Sequence, residues 1–215
     1  MTRTLLLVPT TFELQHVQPA LEDAVGAACG ALAVCGFGPI ASGILTAQLL
    51  ARHQPSNVIL VGIAGSYNSS TAIGTANCYS KIGCYGVGAG SGRGFKTAGE
   101  LGWSQFMDLD SGDSINDSLE TTRAGSTVAC SGMLLTVCSA SANISDVAER
   151  LEKFPDAVAE DMEAFSVAMA CKLTSVPLFV IRGISNIAGD RNKANWRVEA
   201  ALKAAAELAV SRISV

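Results

Sequence analysis

Short apolar runs alternate with helix-spaced segments along the first third of the chain, and this rhythm limits the fold more than any other feature. Residues 5–8 (LLLV) form a run of strand length, and 13–25 carries apolar residues at helical spacing. Residues 31–35 read as a second strand, 40–53 as a second helix, and 58–61 (VILV) as a third, β-branched strand. Runs this short, bounded by helical segments, are the signature of buried parallel strands with crossover helices. Further strands are expected around 76–79, 127–129, 134–138 and 178–181. Further helices are expected over 145–153, 162–173 and 194–211. No repeat and no linker interrupts the 215 residues, a length suited to one domain. The expected architecture is a single α/β domain, 1–215, with a central mixed, mainly parallel sheet flanked by helices.

Composition narrows the function classes. Charged residues make up 16% and hydrophobic ones 49%, with a net charge of -4. Disorder needs the opposite balance. Binding to nucleic acid needs a basic excess or a Lys/Arg cluster, and neither is present. So little charge leaves few groups to cover a surface, so a homo-oligomer, dimer or larger, is expected. No apolar run reaches membrane-spanning length, and the first residues lack a secretory apolar core. A cytoplasmic protein with no membrane partner is expected.

The seven cysteines are Cys29, Cys35, Cys78, Cys84, Cys130, Cys138 and Cys171, with no CxxC among them, and the only histidines are His16 and His53. A zinc site of ordinary spacing and Cys–His or Ser–His catalysis are therefore not expected. The cysteines read as small buried hydrophobes, and the histidines as surface or helix-end residues.

Several motifs carry chemistry. Gly36-Phe-Gly38-Pro-Ile-Ala41 fits a dinucleotide fingerprint, but the acidic residue expected after the next strand is missing from VILVGIAG at 58–65. The glycines read instead as a tight strand-to-helix turn. Residues 83–102 hold eight glycines, five of them alternating from Gly86 to Gly94. That segment reads as a surface loop or glycine-rich strand, or as a loop closing over a site or meeting a second subunit. It is not a P-loop. Asp161-Met162-Glu163 reads as a helix start, where acids favour the dipole; the uncharged helix after it points to burial and makes an acid there a candidate ligand. Arg182-Gly-Ile-Ser185-Asn186 follows a strand, and ligands of open α/β sheets gather at strand carboxyl ends. Glu13 stands in the same kind of position after the first strand.

In combination these segments resemble the nucleoside phosphorylase and nucleosidase superfamily. The matching pieces are Glu13 after the first strand, GFGPIASG at 36–43, VILVGIAGS at 58–66, AEDMEAFSVAMAC at 159–171 and VPLFVIRGISNIAG at 176–189. Residues 67–130 match poorly. Within the superfamily, RGISNIAGDRNKANWR at 182–197 is most similar to futalosine hydrolases of menaquinone biosynthesis. Methylthioadenosine/S-adenosylhomocysteine nucleosidases are similar too, with Asp in place of Asn186.

The resemblance implies hydrolysis of an N-glycosidic bond without metal or other cofactor. It implies that Glu13 activates water, that Glu163 bonds the ribose hydroxyls, that Met162 packs on the sugar, and that Ile63 and Ser185 line the substrate site. Asn186 both donates and accepts, so it suits O6 and a protonated N7 of a 6-oxopurine, whereas an ionised Asp only accepts. The proton for N7 has water or Asp190 as its source. The tail carboxylate of futalosine calls for a cation, with Lys81, Arg93 and Lys96 as candidates. Arg3, Arg93 and Arg182 are the arginines left for a phosphate, but none stands in a phosphate motif and Glu13 would repel the anion, which favours hydrolysis over phosphorolysis. The expected reaction releases hypoxanthine and dehypoxanthine futalosine. The rivals are an adenine-releasing nucleosidase acting on methylthioadenosine, S-adenosylhomocysteine or aminofutalosine, and a non-catalytic nucleoside-binding protein.

Overall fold

The computed structural model describes residues 4–69, 71–121 and 130–213. The chain opens as β1 (Thr4–Val8), α1 (Thr11–Ala28), β2 (Cys29–Val34), α2 (Gly38–His53) and β3 (Asn57–Ser66), which is the expected β-α-β-α-β start. Then come β4 (Ala76–Tyr79) and β5 (Lys81–Tyr85), followed by the short strands β6 (Gly88–Ala89), β7 (Lys96–Thr97), β8 (Phe106–Met107), β9 (Ser114–Ile115) and β10 (Ser118–Glu120). The last third runs β11 (Met133–Val137), α3 (Ile144–Lys153), β12 (Ala157–Asp161), α4 (Ala164–Leu173), β13 (Leu178–Ile187) and α5 (Val198–Ile213).

Among the described residues nine strands form one mixed sheet in the order β10-β5-β11-β12-β3-β1-β2, with β13 on β3 and β4 on β13. Parallel pairings join β1 to β2 and β3, β3 to β13, and β11 to β5 and β12. β10–β5, β12–β3 and β13–β4 are antiparallel. Side chains alternate across the sheet as the pleat requires. Leu5 and Leu7 join Leu50 of α2 and Phe165 and Val167 of α4 on one face. Leu6 and Val8 join Val17 and Leu21 of α1 and Leu202, Ala205, Ala206 and Ala209 of α5 on the other. Gly183 lets α5 approach closely, since a side chain there would collide with the Ala201 carbonyl.

Four expectations need correction. The strands expected at 58–61 and 178–181 run on to Ser66 and Ile187, so Arg182–Asn186 is strand rather than loop. Asp161 closes an unforeseen strand, β12, and the helix expected from Met162 begins at Ala164. The last helix begins at Val198, after a 3-10 turn at Lys193–Asn195. The fourth concerns the cysteines: Cys35, Cys84 and Cys171 are buried thiols, but Cys138 is exposed and Cys78 is disulfide-bonded to Cys130. The bond ties β4 to the segment entering β11, a pairing across 52 residues that no sequence spacing announces. The glycine-rich segment forms the small β6–β7 hairpin and 3-10 turns; Gly90, at φ +84, leaves no room for a side chain against the Gly94 carbonyl. The strand expected at 127–129, Arg3 and the side chain of Cys29 lie outside the described residues. Among the described residues no helix is long and apolar enough to cross a membrane.

Candidate active site

A cavity of about 300 Å³ opens at the carboxyl ends of β1, β3, β12 and β13, and Glu13, Ile63, Met162, Glu163, Ser185 and Asn186 all line it. Several strands end there and the segments that follow them turn over the same edge, which is why residues distant in sequence meet.

Glu13 sits in the first turn of α1 and is 5% exposed. Its Oε2 accepts from the Thr10 hydroxyl at 2.7 Å, while its own backbone N–H donates to Thr10 Oγ1 at 3.2 Å. Its Oε1 accepts from the Ile63 amide at 3.2 Å. The main influence on this carboxyl is desolvation, which raises its pKa; the Arg182 charge and these hydrogen bonds pull it back only in part. A carboxylate fixed on two sides and biased toward holding a proton is suited to taking one from water.

Glu163 is the N-cap residue of α4, yet its side chain caps nothing in that helix. Oε1 accepts from the Gly38 amide at 3.1 Å, and Oε2 pairs with Arg182 Nη2 at 3.3 Å. Burial pushes its carboxyl up to about 7, against the Arg182 charge and with help from Asp161. Asp161 takes over the capping duty: Oδ2 accepts from the Ala164 amide at 2.9 Å, and Oδ1 from the Thr136 hydroxyl at 2.7 Å.

Beneath these acids lies Arg182, fully buried. Its Nε and Nη2 donate to Asp161 Oδ2 at 3.1 and 2.5 Å. Asp161, Glu163 and Glu13 together hold the guanidinium charged, its pKa raised against the cost of burial. Burial is the main reason both glutamates are pushed up; for Glu163 the charges of Asp161 and Glu13 add to it, and the one cation offsets it only in part. Arg182 is thus part of the floor rather than a free phosphate ligand. Nothing in its sequence surroundings marked it as the site's centre of charge.

Ser185 is 1% exposed and Asn186 is 7% exposed. The Ser185 hydroxyl donates to Asn186 Oδ1 at 2.7 Å and also lies 3.2 Å from the Ala64 carbonyl. Asn186 Nδ2 donates to the Ile187 carbonyl at 2.9 Å, leaving its second hydrogen for the cavity. Asp190 does not line the cavity. Its carboxylate accepts from Asn195 Nδ2 at 2.7 Å and the Asn192 amide at 2.8 Å, bonds that hold its pKa below the usual value. It staples the loop and makes a poor proton source.

The cations expected for an anionic tail are elsewhere. Lys81 begins β5, at the end of that strand away from the site, and Arg93 and Lys96 are exposed in the glycine-rich segment. Sequence reasoning passed over Arg191, which lines the cavity and lies 5.2 Å from the centre of the Trp196 ring, another lining residue. Both lie inside the 182–197 motif, and that was the signal available in the sequence. A second, largely apolar cavity of about 590 Å³ adjoins the first through Phe37, Val137 and Met162.

Known proteins share this fold and part of its sequence. A futalosine hydrolase from Streptomyces coelicolor is 29% identical over 178 residues, covering 80% of this chain and 74% of the relative. A 5'-methylthioadenosine/S-adenosylhomocysteine nucleosidase from Colwellia psychrerythraea is 28% identical over 158 residues, 72% of this chain and 65% of the relative. The Colwellia nucleosidase in complex with adenine superposes with a TM-score of 0.76 at 18% identity, covering 100% of this chain and 96% of that one. The futalosine hydrolase of Helicobacter pylori superposes with a TM-score of 0.73 at 15% identity, covering 100% and 98%. A family model described as the Phosphorylase superfamily matches residues 25–214, and the chain belongs to that superfamily.

Proposed function

We propose that this protein is a nucleosidase that hydrolyses the N-glycosidic bond of futalosine, releasing hypoxanthine and dehypoxanthine futalosine, a step of menaquinone biosynthesis. The observation that carries the reading is the convergence of Glu13, Glu163 and Asn186 on one cavity over a buried guanidinium. In this reading Glu13 holds a water molecule and accepts its proton as the oxygen attacks the anomeric carbon. The bond to the purine nitrogen breaks through an oxocarbenium-like transition state. Glu163 bonds the ribose hydroxyls, and its charge favours the developing cation. Met162 packs against the sugar, and Ile63 and Ser185 complete its walls. Asn186 donates its free hydrogen to O6 of the base and accepts from the protonated N7. Water remains the source of that proton, since Asp190 is occupied.

The tail of the nucleoside passes toward Trp196, with Arg191 as partner for its carboxylate. Cation–π contact keeps the guanidinium over the ring and ready for a planar anion. A homo-oligomer is part of the proposal: Phe37, Ile40 and Ile44 are 65%, 79% and 57% exposed on one face at the start of α2, an apolar stripe suited to a second copy. So is a cytoplasmic location, in which the Cys78–Cys130 pair is expected as two thiols in cells and as the disulfide only after oxidation; non-reducing mass mapping of protein taken from cells tests it, and an intact bond there would count against that location.

The test of activity is chromatographic product analysis with futalosine, aminofutalosine, inosine and methylthioadenosine, each with and without phosphate. Hypoxanthine from futalosine, unaffected by phosphate, is expected. Adenine release would favour the methylthioadenosine-type reading, phosphate dependence a phosphorylase, and no turnover a binding protein.

A further inference from the structure

Gly65 of β3 has Glu160 of β12 in register on one side and Asn186 of β13 on the other. All three line the nucleoside cavity. Neighbouring strands lie about 4.8 Å apart, so Glu160 and Asn186 stand about 10 Å from each other across a residue with no side chain. A gap of that width has room for a flat purine with a hydrogen bond at each edge.

Glu160 is 5% exposed and tightly fixed. Its Oε2 accepts from the Ser141 hydroxyl at 2.7 Å, from the Tyr67 hydroxyl at 2.9 Å, and from Arg150 Nη1. Arg150 is anchored in turn on the Ser139 carbonyl at 2.7 Å. Among the described residues Oε1 receives one hydrogen bond, from the Ser141 amide at 2.7 Å. A carboxylate oxygen has two accepting sites, so Oε1 keeps one.

We propose that Glu160 determines base specificity by accepting the N1–H of a 6-oxopurine. This rests on the nucleosidase reading above and supplies what Asn186 lacks. Asn186, held by the Ile187 carbonyl and the Ser185 hydroxyl, bonds O6 and N7 in that reading and leaves N1 unread. A carboxylate has no donating face. Hypoxanthine presents N1–H and pairs with it; adenine presents a lone pair at N1 and is repelled. Mispaired buried groups give large discrimination factors.

The test is calorimetric binding of hypoxanthine, adenine and 1-methylhypoxanthine to the purified protein, with turnover of a hypoxanthine nucleoside measured beside it. Wild type is expected to bind hypoxanthine at least tenfold, and up to about 1,000-fold, more tightly than either other base. Glu160→Gln is expected to narrow the hypoxanthine-to-adenine ratio at least tenfold, because a glutamine amide can donate to adenine N1; a purely structural loss would weaken both bases alike. The wild-type comparison stands even if that variant fails to fold. A hypoxanthine preference with equal binding of 1-methylhypoxanthine would overturn the role of Glu160 and leave the nucleosidase reading intact. Adenine preferred by wild type would overturn the 6-oxopurine reading and Glu160's role with it.

Discussion

Gly62 and Arg182 stand opposite each other in the β3–β13 register, and the guanidinium fills the space a side chain on residue 62 would need. A Cβ at Gly62 would collide with Nη1 and come within 2.8 Å of Glu13 Oε1. The glycine is therefore what allows a fully buried arginine to lie under the acids. Gly62→Ala is expected to cost about 1–3 kcal/mol, the usual penalty of overpacking. It should also depress turnover more than a neutral core substitution of equal cost, because Arg182 must shift from Asp161 and Glu163. Thermal melts and steady-state rates on the same preparation check both.

Arg182→Met tests the arginine itself. Removing the cation leaves Asp161 and Glu163 buried without their partner, and breaking a buried pair in this way typically costs about 3–5 kcal/mol. A melting temperature within a degree or two of wild type would contradict the central place given to the ion cluster.

Much of this was legible in the chain. The β-α-β-α-β start follows from period and run length, and the strand ends locate Glu13 and Asn186 without any contact being known. Arg182 and Glu160 were not legible. Each is a charged residue within a strand, and periodicity reads charge there as an end or a loop. Only tertiary pairing, Arg182 with Asp161 and Glu160 with Arg150, makes their burial tolerable. β12 was missed for the same reason: AVAED is too short and too acidic to stand out, and it becomes a strand because β11 pairs with it on one side and β3 on the other. The disulfide was illegible because pairing depends on distance in the fold and not in the sequence.

Glu13→Gln should separate binding from turnover. Glutamine keeps the size and can still bond Thr10, but it cannot take a proton from water. Turnover is expected to fall about 10²–10⁴-fold, the ordinary worth of a general base, with base binding changed by less than about threefold. Single-turnover rates alongside calorimetry give both numbers.

The Cys78–Cys130 bond closes a loop across 52 residues. Restricting an unfolded chain over a span of that size contributes about 4 kcal/mol on the loop-entropy account. A reductant, or the Cys130→Ser variant, is therefore expected to lower the melting temperature by several degrees. The site acids are held by Arg182, Thr10 and backbone amides, so turnover at low temperature should be little changed.

Stability and activity should respond to pH in opposite directions. Burial raises the carboxyls of Glu13 and Glu163, the latter to about 7, above the 4.5 of an unfolded chain. A raised folded-state pKa means the folded protein binds more protons than the unfolded one between those values. Stability from this source is complete below about 4.5 and is lost as pH rises through about 7. The ligand-free protein should accordingly melt at a lower temperature at pH 8 than at pH 6, and Glu163→Gln should flatten that difference. Turnover needs Glu13 unprotonated and Glu163 charged, so kcat/KM should climb over the same interval in which stability declines. Paired melts and rates from pH 5 to 8 decide it. A protein that grows steadily more stable across that range would show that the acids are not held protonated by burial.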